Sequence, residues 1–373
     1  MNVRLATFAD KNSWDSYVMS NPDSTHCHLF GWKGVIERAY GHKGYYFLAE
    51  KDFQITGVLP LIHLKSWLFG NHFVSMPFLN SGGVLADSEE SAQELVKEAV
   101  KIASNLKVSS IELRHLNLVP SLTSNKPFSA HSLSLTGNNN FSSLVTEEKS
   151  LVTHEKTHKV RMILQLPNLK EELWNSLKSK LRSQISRPIK EGMEAILGCG
   201  ELVDPFYKVF SINMRDLGSP VHSKKLFREI CSEFIDKIKI GIVYYKEEPA
   251  AAGLIFSHRD TVEIPWASSL KELNKLSPNM LLYWSFLEFS CEKCFKFFDF
   301  GRSTPEEGTY RFKEQWGGSP SPLFWTTISL NKQTAKSETP DKSNYDTLIR
   351  YWKKLPVQIS VALGPVIRKN ISL

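Results

Sequence analysis

The chain has 373 residues, of which 42% are hydrophobic, 11% aromatic and 23% charged. This balance is typical of a folded globular protein, and it excludes bulk disorder, a collagen-like or coiled-coil chain and a small disulfide-stapled domain. The formal net charge is +7, from 46 basic and 39 acidic residues, which permits anionic partners without requiring nucleic acid.

The first residues lack the apolar run of a secretory signal. No stretch approaches the roughly 18 uncharged apolar residues of a membrane-spanning helix, so we expect a cytoplasmic protein. No Walker loop, G-x-G-x-x-G or G-x-S-x-G motif is present. His26, Cys27 and His28 group metal-ligand types, but the sequence marks no further ligand for them. We therefore predict no metal and no other cofactor.

Residues 1–116 combine helix and strand patterns and predict one domain. The apolar spacing predicts helices at 14–19 and 29–40, strands at 45–50, 57–63 and 68–74, a helix at 89–106 and a strand at 109–114. Residues 117–155 are rich in Ser and Asn and show little periodicity. A loop of this length is unusual inside a domain, so we predict a polar insertion or linker there.

Residues 156–330 predict a second domain. Its predicted elements are a strand at 160–166, a helix at 169–190 disturbed by Pro188, helices at 204–217 and 224–238, strands at 240–245, 250–257 and 261–266, a helix at 278–291 and a strand at 296–300. This succession indicates an α+β domain with a mostly antiparallel sheet. The first half has a similar rhythm, which favours two copies of one α+β unit.

Residues 331–373 form a predicted C-terminal tail. Its segment 351–369 is apolar with basic ends and is too short to span a bilayer. One interpretation is peripheral contact with an anionic membrane. The alternative, a helix docked on the body of the protein, is favoured because Pro356 and Gly364 interrupt the apolar pattern.

Positive charge is concentrated in residues 156–190, where nine basic residues face two acidic ones. The net charge of this segment is +7, which equals the net charge of the entire chain. Arg182, with Lys178 and Lys190, could lie on one side of a helix and meet phosphate groups. A solvated helix face is the equally weighted alternative.

Three other segments carry candidate binding residues. A predicted strand ends at Asp299, where Gly301 allows a sharp turn next to Arg302, and charged groups in such a position often line a cleft. An ion pair that only fixes the turn is the alternative. Polar and aromatic residues at 263–279, including Glu263, could bind a substrate or make turns. Residues 80–83 could approach a ligand or form a tight turn.

Several motifs occur together in the second half: R-M-I-L at 161–164, K-L-R at 180–182, N-M-R-D-L-G-S-P at 213–220, I-P-W-A-S-S-L at 264–270, P-N-M-L-L-Y-W at 278–284, D-F-G-R-S-T at 299–304 and G-T-Y-R-F-K-E-Q-W-G at 308–317. The first half adds Y-G-H at 40–42, G-V-L-P-L at 57–61, S-W-L-F-G at 66–70 and S-M-P-F at 75–78. In these motifs the chain resembles the FemAB-like family of acyl and aminoacyl transferases, in its branch associated with PEP-CTERM/exosortase and exopolysaccharide systems. The resemblance covers nearly the whole chain except 117–155.

The resemblance implies two tandem GNAT (N-acetyltransferase-like) domains, each a mostly antiparallel twisted sheet flanked by helices. It also implies a reaction in which an amine attacks an activated acyl carbonyl and forms an amide on a peptidoglycan-like, cell-envelope or exopolysaccharide precursor. The donor would be an aminoacyl-tRNA or an acyl-CoA, and the acceptor an amine-bearing saccharide or cell-wall precursor. The segment Arg38 to Lys43 stops short of the family's pyrophosphate loop, which speaks against acyl-CoA.

The Phe-Lys pair of the family's C-terminal motif matches Phe312 and Lys313. By this resemblance Lys313 stabilises the developing negative charge and Phe312 shapes the donor site. Asp299 is the weaker candidate, either as the base or as the partner of Arg302, which would contact an anionic group. The other residues expected to bind donor or acceptor are Ser303, Tyr310, Arg311, Trp266, Asn279, Arg215, Arg182, Asn80 and Gly82.

Two rival functions use the same sequence features. One is an acyl-CoA-dependent N-acetyltransferase. The other is a non-catalytic assembly factor for polysaccharide export or biosynthesis. A tRNA-dependent enzyme would bind its donor through the basic run 156–190, and its binding would be sensitive to salt.

Overall fold

The structure, a computed structural model, describes residues 1–117, 119, 152–330 and 342–372. These residues form two mixed sheets with helices packed around and between them. The predicted α+β class is confirmed. Each sheet contains one parallel strand pair whose members are joined by a helix, and its other pairs are antiparallel. The two sheets therefore repeat one unit, as the similar rhythm of the two halves predicted.

The first sheet has the order β1-β2-β3-β4-β6-β15-β7, with β5 paired to β3. Its strands are β1 (Asn2–Leu5), β2 (Lys43–Lys51), β3 (Gln54–Ser66), β4 (Gly70–Val74), β5 (Leu85–Ala86), β6 (Ser110–His115), β7 (Val152–Lys156) and β15 (Phe324–Ser329). The helices of this half are α1 (Lys11–Ser20), α2 (Gly31–Tyr40) and α3 (Glu89–Asn105). Helix α3 joins the parallel strands β4 and β6 and buries its apolar stripe on the sheet.

The second sheet has the order β14-β8-β13-β12-β11-β10-β9. Its strands are β8 (Val160–Gln165), β9 (Glu194–Gly198), β10 (Ile238–Tyr245), β11 (Glu248–His258), β12 (Thr261–Ser269), β13 (Phe297–Ser303) and β14 (Ser319–Pro322). Its helices are α4 (Lys170–Ser176), α5 (Ser179–Lys190), α6 (Val203–Leu217), α7 (Lys224–Glu233), α8 (Pro278–Glu292) and α9 (Gly308–Glu314). Helix α8 joins the parallel strands β12 and β13.

One hydrophobic core lies between the two halves. It combines side chains of α1 and α2 with side chains of α6, α7 and the near face of the second sheet, among them Trp14, Trp32, Phe206 and Phe256. Helices α2 and α7 pack against each other across this core, and two ion pairs of Arg38 with Glu229 and Glu233 lie at its rim. This shared core fixes how the elements of the two halves meet at the site.

Two predicted helices differ from the structure. The helix predicted at 169–190 is broken at Leu177 and Lys178 instead of at Pro188. Leu177 adopts an extended conformation there, because its side chain packs into the hydrophobic core of the second half. Pro188 stays inside α5 near its end. The helix predicted at 224–238 ends at Glu233, and Ile238 already begins β10.

Strand β15 belongs to the first sheet, where it pairs with β6 and β7. The sequence predicts its residues as part of the second domain, 156–330. Strand β7 comes from the end of the predicted insertion 117–155. The rest of that insertion, apart from residues 117 and 119, lies outside the described residues.

The C-terminal segment is docked on the body. Helices α10 (Lys342–Trp352) and α11 (Val357–Arg368) follow the first residues of the predicted tail, and Ser360 and Gly364 of α11 are buried. The carbonyl of Lys369 accepts a hydrogen bond from His42 Nε2 at 2.7 Å, and the carbonyl of Ser372 accepts one from the Phe78 amide at 2.6 Å. The docked helix of the second interpretation is present, and docking leaves Ile359, Leu363 and Val366 of α11 exposed.

The docking of α11 depends on a missing side chain at Gly364. A Cβ added there would lie 2.8 Å from the backbone nitrogen of Val221. We expect Gly364→Ala to destabilise the fold by about 1–3 kcal/mol through overpacking, although Ala is the better helix former. Urea unfolding checks this, with Gly200→Ala as the control because its nearest atom is 3.8 Å away. Equal unfolding free energies of the two variants would contradict it.

Candidate active site

The site begins where two parallel strands separate. Strands β12 and β13 pair only as far as Glu263 and Asp299, which are register partners. Directly after this point each strand carries a bulge: the register of β12 shifts around Pro265, and that of β13 shifts around Gly301. Pro fits a bulge because it lacks the ladder N–H, and Gly301 adopts φ +74°. The bulges end the pairing and place both carboxylates at the apex of the opening.

Glu263 is ionised by its partners from the first half of the chain. Its Oε2 lies 3.0 Å from His26 Nε2, and its Oε1 accepts from Asn80 Nδ2 at 3.3 Å. Burial opposes ionisation, but the charge of His26 and these hydrogen bonds lower the pKa of Glu263. Burial would also lower the pKa of His26, yet Cys27 and Glu263 raise it to about 10. The pair is therefore imidazolium and carboxylate.

The pKa of Asp299 is shifted in the opposite direction from that of Glu263. Burial and the adjacent charge of Glu263 raise the pKa of Asp299 to about 7, against the opposing effects of Arg161, the Gly301 amide and Lys313. Its Oδ1 accepts from the Gly301 amide at 2.8 Å, and Arg161 Nη1 is 3.6 Å from its Oδ2. A carboxyl group that gains and loses a proton near neutral pH has the property required of a general base.

A cleft of about 440 Å³ opens onto these two carboxylates. Its walls come from both halves of the chain and include His26, Arg161, His258, Asp260, Glu263 and Asp299. The size is within the range of sites for small molecules. The cleft therefore gives a small polar molecule access to Asp299.

Lys313 lies behind the bulge of β13. Helix α9 carries it, and its Nζ donates to the carbonyls of Gly301 at 3.0 Å and Arg302 at 2.7 Å. An ammonium group has three donors, so one remains. Burial lowers the pKa of Lys313 to about 8, although the charge of Asp299 partly offsets this effect. Gly301 thus connects the two groups, since its N–H binds Asp299 and its carbonyl binds Lys313.

Arg302 is a half-buried cation with no hydrogen-bond or ion-pair partner for its guanidinium in the described part of the chain. The guanidinium stacks on Trp325 at 5.3 Å, and Arg114 stacks on the same indole at 4.6 Å. Trp325 Nε1 donates to the carbonyl of Asn80 at 3.2 Å. The hydroxyl of Ser303 beside Arg302 is buried and also lacks a partner. The Arg302 guanidinium, which is half-buried, is therefore the group that an anionic ligand could reach.

The predicted site residues divide into three groups. Asp299, Lys313, Arg302, Ser303 and Asn80 lie around the bulge of β13, linked through Gly301 and Trp325, and of these five Asp299 lines the cleft.

The Phe312 ring lies 4.9 Å from that of Tyr283. Phe312 and Tyr310 both pack against the hydrophobic core of the second half. Asn279 is half-buried in the first turn of α8.

Five predicted residues have other surroundings. Trp266 packs against Phe227 in the core between the halves. Arg215 binds Asp216 and the carbonyl of Leu355, so it anchors the C-terminal segment. Gly82, at φ +118°, is packed against Met76 in a tight turn. Arg311 is exposed and 3.9 Å from Glu306, and Arg182 lies half-buried on α5.

Sequence reasoning did not select His26, Arg161 or Trp325 as site residues. Arg161 belonged to both the basic run and a family motif, which was the available signal. His26 and Trp325 come from distant segments that only the fold brings to Glu263 and Asn80.

His26, Cys27 and Glu263 also bring three metal-ligand types together, within 4.8 Å of one another. Cys27 Sγ lies 3.9 Å from Nδ1 and 3.8 Å from Nε2 of His26. Equal distances place the sulfur beside the ring instead of along the Nε2 lone pair, where Glu263 already lies. The geometry fits an ion pair covered by a thiol better than a tetrahedral metal centre.

Comparisons with known proteins agree with this architecture. Residues 179–314 match the family described as "Acetyltransferase (GNAT) domain". The structure of FemX is similar over 90% of this chain and 99% of its own, with 14% identity and a TM-score of 0.63. A tandem GNAT protein from the clavulanic acid biosynthesis pathway matches 88% of this chain and 98% of its own, with 10% identity and a TM-score of 0.54.

L-PGS from Bacillus licheniformis is similar over 93% of this chain and 98% of its own, with 10% identity and a TM-score of 0.51. No curated protein matches the sequence. The chain therefore has a tandem GNAT fold of the kind seen in FemX, and the matched domain supports a GNAT-type acyltransferase. No helix of the described ranges combines the length and apolar character needed to cross a bilayer.

Proposed function

We propose that the chain transfers an acyl or aminoacyl group to an amine, with Asp299 as the general base. The observation that carries this proposal is the buried Asp299, whose pKa is raised to about 7, at the inner end of a cleft where two parallel strands separate. Neutral pH then leaves much of Asp299 ionised and able to take a proton.

The reaction would proceed by addition and elimination. The acceptor amine, held in the cleft, attacks the acyl carbonyl and forms a C–N bond. Asp299 takes the proton that the nitrogen loses. The tetrahedral intermediate then breaks its bond to the leaving group, which receives the proton from Asp299, and the amide remains. The third N–H of Lys313 is assigned to the oxyanion, while its two other N–H groups hold the bulge.

Arg302 supports an anionic group on one substrate. A guanidinium stacked on an aromatic ring keeps its N–H edge free for a phosphate or carboxylate. An amine-bearing saccharide that is a precursor of the cell envelope or of an exopolysaccharide fits these requirements. Such an acceptor and its activated donors are cytoplasmic compounds, so we place the reaction in the cytoplasm.

The donor is an aminoacyl-tRNA or an acyl-CoA. Helix α5 favours the first, because Lys178, Lys180, Arg187 and Lys190 are exposed and have no ion-pair partner in the ranges that the structure describes. A group of exposed cations on one helix suits a polyanion. Salt-sensitive binding of charged tRNA would identify it as the donor, whereas thermal protection by CoA would identify an acyl-CoA enzyme.

A donor screen tests the proposed function. The purified chain is incubated with charged tRNAs, acyl-CoAs and an extract of lipid-linked and nucleotide-linked sugars, and products are read by mass spectrometry. We expect an acyl mass increment on an amine-bearing saccharide with the wild type and its loss with Lys313→Ala. An increment that survives Lys313→Ala would remove this lysine from the mechanism. A folded protein that yields no increment would favour the assembly factor.

The pH dependence of the reaction follows from the two buried groups. Asp299 must be deprotonated, so kcat/KM should rise with pH up to its pKa of about 7. Lys313 must keep its proton, so kcat/KM should fall above its pKa of about 8. We expect a narrow bell-shaped profile with a maximum between these values. A value of kcat/KM that stays constant from about pH 6 to about pH 9 would contradict both roles.

A further inference from the structure

The hairpin between β3 and β4 carries an exposed apolar tip. Trp67 is 100% exposed, Leu68 is 72% exposed and Phe69 is 38% exposed. The tip projects beyond the neighbouring strand, because β2 begins at Lys43, opposite His63, while β3 continues to Ser66. Three large apolar residues in a row at a projecting tip are costly in water and mark an interaction site.

The shape of this tip is fixed by its own hydrogen bonds. The Ser66 hydroxyl accepts from the amides of Leu68 at 3.2 Å and Phe69 at 3.3 Å. The carbonyl of Phe69 is 3.1 Å from His72 Nε2, and Gly70 closes the turn at φ +86°. The apolar side chains are therefore held outward before any partner binds.

Three exposed lysines lie at the same end of the first sheet as the tip. Lys65 is the register partner of Asn71, and Asn71 Nδ2 donates to the carbonyl of Lys107 at 2.9 Å. Lys65, Lys107 and Lys43 are exposed, and none has a carboxylate partner within the described ranges. A tip of Trp, Leu and Phe beside three exposed lysines matches the chemistry of an anionic bilayer surface, with apolar acyl chains below phosphate groups.

Helix α11 presents a second apolar surface at the same end of the first sheet. Its C-terminal end meets His42 next to Lys43. Its outer side exposes Ile359 by 44%, Leu363 by 48% and Val366 by 61%, and these positions share one helix face.

We propose that the β3–β4 tip inserts into the interface of an anionic membrane and that the outer face of α11 adds to the contact. This surface is separate from the cleft and does not depend on the proposed reaction. It would hold the cleft near acceptors that are carried on lipids. A second copy of the chain is the competing occupant, which the experiment separates.

Co-sedimentation of the full chain with vesicles tests this surface. We compare vesicles of phosphatidylcholine alone with vesicles that also contain phosphatidylglycerol. We expect binding to the anionic vesicles, and a loss of about tenfold or more in the Trp67→Ser, Leu68→Ser double variant. Phe53→Ser is the matched control, because Phe53 is 105% exposed at the turn at the opposite end of β3. The variant Lys65→Glu with Lys107→Glu should lose the preference for anionic lipid.

Three results would overturn the proposal. The wild type fails to bind either vesicle, the tip variant binds as well as Phe53→Ser, or the wild type forms a dimer that the tip variant abolishes while vesicles capture neither. Because these side chains are exposed and unpacked, their loss should leave the unfolding midpoint unchanged, so misfolding is distinguishable. In the donor screen with soluble acceptors, the wild type and the Trp67→Ser, Leu68→Ser variant should form equal amounts of amide.

Discussion

An Asp299→Asn variant is expected to lose about 10²- to 10⁴-fold in kcat/KM for amide formation, the range that one positioned base contributes. Asn has the same shape and can still accept the hydrogen bond of the Gly301 amide through its Oδ1. It cannot take a proton from the acceptor amine. The measurement is steady-state kinetics with the donor and acceptor that the mass-spectrometric screen identifies.

Asp260→Asn is the matched control for this loss. Asp260 lines the same cleft, but its side chain is 45% exposed and lies 3.9 Å from Lys296. We expect it to change kcat/KM only a few-fold. If both variants keep the wild-type rate, Asp299 is a structural group of the bulge. If both lose the same amount, the cleft needs negative charge in general instead of one base.

The second large effect is on stability. An Arg114→Met variant is expected to lower the free energy of unfolding by about 3–5 kcal/mol, as when one partner of a buried ion pair is removed. Arg114 is fully buried and donates to Glu112 at 2.7 Å. It also donates to the carbonyls of Met76, Leu79 and Ser372. Methionine fills the space but leaves these acceptors unpaired.

Urea unfolding measures this effect, with Arg4→Met as the control. Arg4 also contacts two carboxylates, Asp10 at 2.7 Å and Glu50 at 3.0 Å, but its side chain is 38% exposed. Exposed pairs contribute about 1 kcal/mol or less. A loss in Arg114→Met no larger than in Arg4→Met would show that the buried cation does not hold the first sheet to the C-terminal segment.

Much of the fold could be predicted because the apolar periodicity of a helix or strand is local. Helix α3 repeats its buried positions at helical spacing, and β10 and β11 are largely apolar segments joined by a turn. The membership of β15 in the first sheet could not be predicted, since it depends on pairing with β6 across some 200 residues of chain. The break in the helix at Leu177 likewise depends on tertiary packing, since the Leu177 side chain is buried in the hydrophobic core of the second half.

The candidate site was predictable to the extent that single residues signal their chemistry. Asp299 stands two residues before a glycine, near the end of a predicted strand that the structure extends to Ser303, and Lys313 lies in a dense motif. Glu263 was visible as a polar residue within the predicted strand 261–266. Its ionisation depends on His26, which is 237 residues away in the chain, so no local pattern could reveal the charges that set the pKa of Asp299.

The acid limb of the pH–rate profile in two variants tests the central claim, that Asp299 is the base and that its neighbours tune it. Glu263→Gln removes the negative charge that raises the pKa of Asp299, and Arg161→Gln removes the positive charge that lowers it. We predict that the acid limb moves to lower pH in Glu263→Gln and to higher pH in Arg161→Gln. Acid limbs that stay in place, or that move in the same direction, would contradict the claim.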